Sequence, residues 1–271
     1  MTANHVLVWG PMLPAPLHTA TFDCWATLMY EVAPPPGPSG RIRLLAELTG
    51  TDVQRAGSAF ARAWRQHQIE WHRNVIFAGP HMLQHTLTAL EIDVSPARFD
   101  ELLRELENEI LGHEVHASPG ARELLLALQR AGIRRALICD TGFSPGPMVR
   151  KLLDRLGLLE LLEVTVFSEE VGVPKPHPRA FAAALEGLGV KAAGAVHVGD
   201  LRRSDIAGAQ AAGMRAVRYR GRNDDNAEEP GPHAGVIDCS TAGCTPRCAR
   251  PEGDAVVSSF AELGELLGVR I

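Results

Sequence analysis

The chain has 271 residues, 45% of them hydrophobic and 22% charged, with a formal net charge of −5. These values describe an ordinary soluble globular protein of one large or two modest domains, with no charge to attract a nucleic-acid polyanion. Aromatic residues at 5% give little base-stacking surface, and no apolar run approaches the ~18–20 residues that span a bilayer.

Five cysteines at irregular spacing make a disulfide framework a poor reading, so a reducing cytoplasm is the expected location. Residues 1–17 read as an irregular N-terminal extension, because Pro11, Pro14 and Pro16 oppose a helix; the stretch has no basic region of a signal peptide. Thr19 to Phe22 is a short buried strand that ends in Asp23, with Ala26 and Thr27 following. The run Pro34-Pro35-Pro36-Gly37-Pro38 then breaks the chain and reads as a hinge. Residues 41 to about 114 are almost entirely helical in pattern, and 35–114 read as an inserted helical cap domain. In it Ser95-Pro96 forms an N-cap followed by Pro, and Phe99, Leu102, Leu103, Leu106 and Ile110 fall on one face.

From Ser118 the pattern alternates between helix and strand. Ser118-Pro119 caps a helix, Arg134–Cys139 is a strand, and Ser144-Pro145 opens a second helix closed near Gly157. A strand over Glu163–Ser168 is followed by the rigid loop Val173-Pro174-Lys175-Pro176-His177-Pro178. A helix then carries Phe181, Leu185 and Leu188, and a strand over Ala193–Val198 runs into Gly199-Asp200. Ser204–Ala212 reads as a helix and Met214–Tyr219 as a strand. Such alternation predicts an α/β fold, a doubly wound parallel sheet with a Rossmann-like core, built from residues 18–34 and 115–271. Residues 221–253 break the rhythm and read as a surface insertion before a last strand and helix.

Right-handed crossovers place the carboxyl ends of these strands on one edge, where open α/β sheets hold their chemistry. That edge collects Asp23 and Thr27; Cys139, Asp140 and Thr141; Lys175; and Asp200 with Asp205. In this order the residues resemble the motifs of the haloacid dehalogenase superfamily, which consists mainly of phosphohydrolases. Asp23-Cys24-Trp25-Ala26-Thr27 is similar to its Asp-x-Asp-Gly-Thr motif. Cys139 stands at the Ser or Thr of the second motif, Lys175-Pro176 at the third, and Gly199-Asp200 with Asp205 at the fourth. The resemblance runs from about residue 18 to 220 and includes the family's helical cap.

It implies that Asp23 is the nucleophile, that Lys175 and Thr27 assist it, and that Cys139, Asp140, Thr141 and Trp25 border the substrate. It also implies Mg²⁺ held by Asp23, Asp200, Asp205 and the Trp25 carbonyl, since hard oxygen donors suit that ion. The implied substrate is a small phosphorylated metabolite, transferred through an aspartyl-phosphate.

Three positions depart from the pattern. Trp25 stands where the phosphatases keep an Asp that carries protons, Ala26 replaces Gly, and Cys139 replaces a hydroxyl. Ala26 is a mild change if its φ is negative, and Thr141 can supply a hydroxyl in place of Cys139. The family's 2-haloacid dehalogenases also carry an aromatic residue at the place of Trp25, but use no metal and have Ser at the place of Asp200. That leaves a dehalogenase and a catalytically weak phospho-ligand-binding member as alternatives. His67, His72, His81 and His85 of the cap are candidate proton carriers, set against ordinary surface and cap-core histidines. Arg41, Arg43, Arg202 and Arg203 are candidate anion contacts, set against solvated arginines. His233, Cys239, Cys244 and Cys248 form a possible zinc set without standard spacing.

Overall fold

The strand at Thr19–Phe22 lies near the centre of the sheet, and all four of its residues are buried. The structure, a computed structural model, describes residues 17–32, 39–225 and 251–271. Its strands in chain order are β1 (Thr19–Phe22), β2 (Met29–Glu31), β3 (Val115–Ala117), β4 (Arg134–Cys139), β5 (Val164–Phe167), β6 (Ala195–Gly199), β7 (Arg215–Tyr219) and β8 (Ala255–Val257). Six of them form one sheet in the order β5-β4-β1-β6-β7-β8, with every pairing parallel. Strands buried on both faces need apolar side chains on both. Leu137 faces one layer while Ala136 and Ile138 face the other.

On the first face lie α5 (Ala121–Arg130), α6 (Gly146–Arg155) and the terminal helix α10 (Phe260–Leu266), through Leu124, Leu128, Leu152 and Phe260. On the second lie α8 (Pro178–Leu188) and the short α9 (Ala207–Ala211), through Phe181, Leu185, Leu188 and Ala209. One turn, α7 (Ser168–Val171), links β5 to the proline loop.

Between β1 and β4 four helices pack on one another: α1 (Gly40–Thr49), α2 (Val53–His72), α3 (Gly79–Leu90) and α4 (Pro96–Asn108). Ser39, Asp52 and Ser95 cap three of their N-termini through side-chain oxygens. Their core includes Leu45, Met82, Leu87, Leu102 and Leu106, and Phe143 from the loop after β4 inserts into it. The sequence pattern did not reveal the antiparallel pair β2–β3, which joins this cap to the sheet; three-residue strands are too short to show a period.

Several local expectations differ from the structure. Ser118 does not cap α5: the chain turns at Gly120 (φ +83°) and the helix begins at Ala121. Ser144 does not cap α6; Pro145 holds that position and the Ser144 hydroxyl accepts from Arg41. The helix expected over Ser204–Ala212 is a π-turn at Arg202–Ile206 followed by α9. The N-terminal extension but for residue 17, the proline run, residues 226–250 of the insertion and the set His233, Cys239, Cys244 and Cys248 lie outside the described residues. Among the described residues no helix is long and apolar enough to cross a membrane.

Candidate active site

Asp23 leaves the end of β1 with its backbone N–H on the Val198 carbonyl of β6. Lys175, in the loop before α8, is buried and donates from Nζ to Asp23 Oδ1 at 2.6 Å and to Asp205 Oδ1 at 2.7 Å. Asp200 follows β6, and Asn223 Nδ2 donates to its Oδ2 at 2.6 Å. One carboxylate oxygen from each of Asp23, Asp200 and Asp205 lies within 4.8 Å of the others, and all three residues are buried. The π-turn after β6 brings Asp205 back beneath the strand end. There its Oδ2 accepts from Leu201 N at 2.9 Å. Only glycine fits before it: a Cβ at Gly199 would stand 2.4 Å from Asp205 Cγ.

The electrostatics follow from this crowding. Burial pushes Asp23 up to about 7, helped by the Asp205 charge and opposed by Lys175. Burial and the charges of Asp23 and Asp205 push Asp200 up to about 8. Burial also works against an ionised Asp205, but Lys175 and His197 override it and hold that carboxylate well below the ordinary range. Burial likewise works against a charged Lys175, and Asp205, Asp23 and Asp140 together keep its ammonium protonated. His197 is buried, lowered by that burial, and set between the Thr21 hydroxyl (2.8 Å from Nδ1) and Asp205 (3.3 Å from Nε2). One ammonium faces three carboxylates, and the donors are all hard oxygens. Such a set fits a divalent cation, Mg²⁺ in particular.

The residues of the second motif turn to other partners. The buried Cys139 thiol donates to the Asp140 carbonyl at 3.5 Å; interaction with Cys24, and then burial, raise its pKa. Thr141 does not offer a free hydroxyl, since Oγ1 pairs with Ser168 Oγ at 3.0 Å and with Glu169. Asp140 is a bridge: Oδ1 accepts from Lys175 N at 2.8 Å and Oδ2 from the Trp71 indole at 2.8 Å. Trp25 and Asp140 line a cavity of about 470 Å³ beneath the cap. The buried Thr27 hydroxyl has no hydrogen-bond partner among the described residues. Ala26 has φ +58°, so the condition for a mild replacement of glycine fails and its Cβ is strained.

Of the four cap histidines, His67 and His72 line the cavity, while His81 and His85 pack against Phe77. His67 Nδ1 lies 2.7 Å from the Phe77 carbonyl. Arg41 lies at the cavity and pairs with Glu109; Arg43 is exposed. Arg202 pairs with Asp225 and Glu252, and the Arg203 guanidinium covers the Trp71 ring at 3.8 Å. Sequence reasoning missed His197, Asn223, and Trp71 as a partner of Asp140. The one signal for His197 was a titratable residue inside an apolar strand just before Gly199-Asp200.

Fold and site together define an α/β hydrolase with a helical cap. The chain belongs to the haloacid dehalogenase-like hydrolase family, whose profile matches residues 19–213. A glyceraldehyde 3-phosphate phosphatase of Pyrococcus abyssi is 33% identical over 141 residues, 52% of this chain and 58% of that one. An (S)-2-haloacid dehalogenase 1 of a Pseudomonas species (strain CBS-3) is 27% identical over 206 residues, 75% of this chain and 84% of that one. The match thus spans little more than half the length of the Pyrococcus enzyme. Among solved structures, a 2-haloacid dehalogenase from Pseudomonas syringae superposes with a TM-score of 0.60 at 26% identity, covering 93% of this chain and 99% of that one. A phosphatase of the same superfamily from Thermococcus onnurineus superposes with a TM-score of 0.58 at 19% identity, covering 94% and 99%, a likeness of fold alone.

Proposed function

We propose that the protein is a Mg²⁺-dependent phosphohydrolase that acts on a small phosphorylated molecule in the cytoplasm. The observation that carries this reading is the carboxylate set Asp23, Asp200 and Asp205. A metal-free dehalogenase gains nothing from a carboxylate at Asp200, which costs desolvation and repels Asp23. Phosphatase-named relatives such as the Pyrococcus abyssi enzyme support the same substrate class.

In this reading Asp23, Asp200 and Asp205, with the Trp25 carbonyl, hold the ion, which supplies neutralisation of the phosphoryl oxygens. Asp23 attacks phosphorus and carries the phosphoryl group as an acyl phosphate. Lys175, already 2.6 Å from Asp23 Oδ1, favours the ionised nucleophile and stabilises charge on the transferring oxygens. The Thr27 hydroxyl is free to donate as the negative charge moves. The cap excludes water during the first transfer. The Trp25 indole N–H is not an acid that can transfer its proton, so the leaving group departs without acid help from that position.

The dehalogenase reading is favoured by Trp25 and by the long match to the Pseudomonas enzyme. One panel decides between them: alkyl, aryl and acyl phosphates with Mg²⁺, beside 2-haloacids in EDTA. Phosphate release that stops in EDTA is expected. Halide release in EDTA overturns the reading, and an unchanged Asp23→Asn variant removes Asp23 as nucleophile.

A further inference from the structure

The cavity of about 470 Å³ beneath the cap is large enough for a small organic group. None of the three clustered carboxylates lines it, but two of its lining residues lead to them. Trp25 lies two residues after Asp23, and Asp140 is joined to Lys175 at 2.8 Å. The rest of its wall is strongly aromatic, with Trp64 and Trp71 from α2 and Phe143 from the loop after β4. Trp64 is 42% exposed, one of four exposed large hydrophobic side chains among the described residues. Its ring packs against His67 with centroids 5.1 Å apart, and the exposed part of the indole is well suited to contact a ligand.

The charges in the wall are already engaged. Asp140 accepts from Lys175 N and the Trp71 indole. Arg41 bonds the Leu106 carbonyl and the Ser144 hydroxyl, pairs with Glu109, and stacks on Phe143. Glu31 is held by His113. Among the described residues these three charged groups are thus paired, and beside Gln68, His67 and His72 the wall offers chiefly π faces and ring edges.

A second observation converges on the same ligand. Trp25 cannot protonate a leaving group. An alkoxide, with a conjugate-acid pKa roughly like that of water at 15.7, leaves poorly without that help, whereas a phenolate near 10 leaves far more readily.

We infer that the substrate is an aryl phosphate monoester whose ring occupies the tryptophan-lined cavity. This rests on the phosphohydrolase reading and names its substrate class. Asp23 Oδ bonds to phosphorus as the P–O(aryl) bond breaks, and the aryl oxide takes the electron pair. A water oxygen then bonds to phosphorus as the Asp23–phosphorus bond breaks and the carboxylate recovers its pair. One proton of that water stays on the phosphate, and the other is matched by the proton that the aryl oxide takes from solvent.

The test uses the full chain with Mg²⁺ and four substrates: 1-naphthyl phosphate, phenyl phosphate, acetyl phosphate and glycerol 3-phosphate. Acetate, with a pKa roughly that of a side-chain carboxyl, is a better leaving group than an ordinary phenolate near 10. Leaving-group chemistry alone therefore favours acetyl phosphate. Expected is a kcat/KM for naphthyl phosphate at least tenfold above that for acetyl phosphate. In Trp64→Ala that ratio falls about tenfold, through KM for the aryl substrate, as lost ring stacking predicts. Acetyl or glycerol phosphate turned over as well as naphthyl phosphate overturns the aromatic substrate while leaving the phosphohydrolase intact. An unchanged ratio in a folded Trp64→Ala variant overturns it too. Release of phosphate from none of the four overturns the phosphohydrolase reading itself, and this inference with it.

Discussion

The Trp71 indole of the cap donates to Asp140 Oδ2 of the core at 2.8 Å, and the other oxygen of that carboxylate holds the backbone N–H of Lys175. The cap is thereby tied to the loop that carries the ammonium. Arg203 covers the same indole at 3.8 Å, so both the edge and the face of Trp71 meet the core. A hydrogen bond to a charged group is worth about 1.5–3 kcal/mol. Trp71→Phe keeps a ring under Arg203 and removes the N–H. It is expected to lower kcat/KM about tenfold or more and to leave a larger fraction of molecules with the cap open. Steady-state kinetics beside small-angle scattering checks both; wild-type values in each would show that the indole N–H does not latch the cap.

Lys175 is 1% exposed and touches two carboxylates, so its removal leaves buried negative charge without a counter-ion. Breaking such a pair costs about 3–5 kcal/mol. Lys175→Met should show a loss of that order in urea unfolding without metal. Added Mg²⁺ should restore part of it, because the cation replaces lost positive charge. Turnover should stay abolished in either condition. A variant as stable as wild type without metal contradicts the charge balance described for the site.

Protons and metal compete for the same oxygens. Asp23 is raised to about 7 and Asp200 to about 8, from an ordinary 3.8. The folded metal-free chain therefore holds protons that the unfolded chain has released. Stability from these groups is full below the unfolded value and is lost as pH rises through 7 and then 8. Asp205 is shifted the other way and stays ionised throughout this window, and His197, lowered by burial, acts only below about 6.5. Between about pH 7 and pH 8 the metal-free midpoint temperature should fall and then level off toward pH 9, and saturating Mg²⁺ should flatten or reverse the trend. Calorimetry should also show more protons released on Mg²⁺ binding near pH 7 than near pH 9. A flat metal-free profile rules out the shared proton load.

The sheet and most of the cluster were legible because short apolar runs ending in Asp23 and Asp200 carry their own signal. Lys175 was legible from its proline loop. What was hidden depends on contacts distant in sequence. Asn223 reaches Asp200 from a polar stretch without period, and Trp71 meets Asp140 across 69 residues. The expected helix over Ser204–Ala212 failed at its start because Asp205 must fold back against Gly199, which a π-turn permits. Thr141 looked like a substrate hydroxyl until Ser168 and Glu169 closed around it. A sequence shows which groups are available at a strand end, but not which neighbours have already engaged them.

Ala26 illustrates the same point by its backbone. The family motif places Gly there, and the chain keeps the left-handed turn, φ +58°, with a residue that has a Cβ. Left-handed backbone costs an L-residue roughly 1–2 kcal/mol, partly offset by the smaller entropy that Ala loses on folding. Ala26→Gly should therefore stabilise the protein by about 1 kcal/mol, a rise of roughly 2–4 °C in midpoint temperature for a chain of this size. The turn sets the direction in which the chain leaves Asp23 and positions the buried Thr27 hydroxyl. If the strain is only a cost, turnover is unchanged while stability rises. If it holds Thr27 in place, kcat falls as stability rises. Thermal melts and kcat measured on the same preparation separate the two, and a variant less stable than wild type contradicts the strained turn.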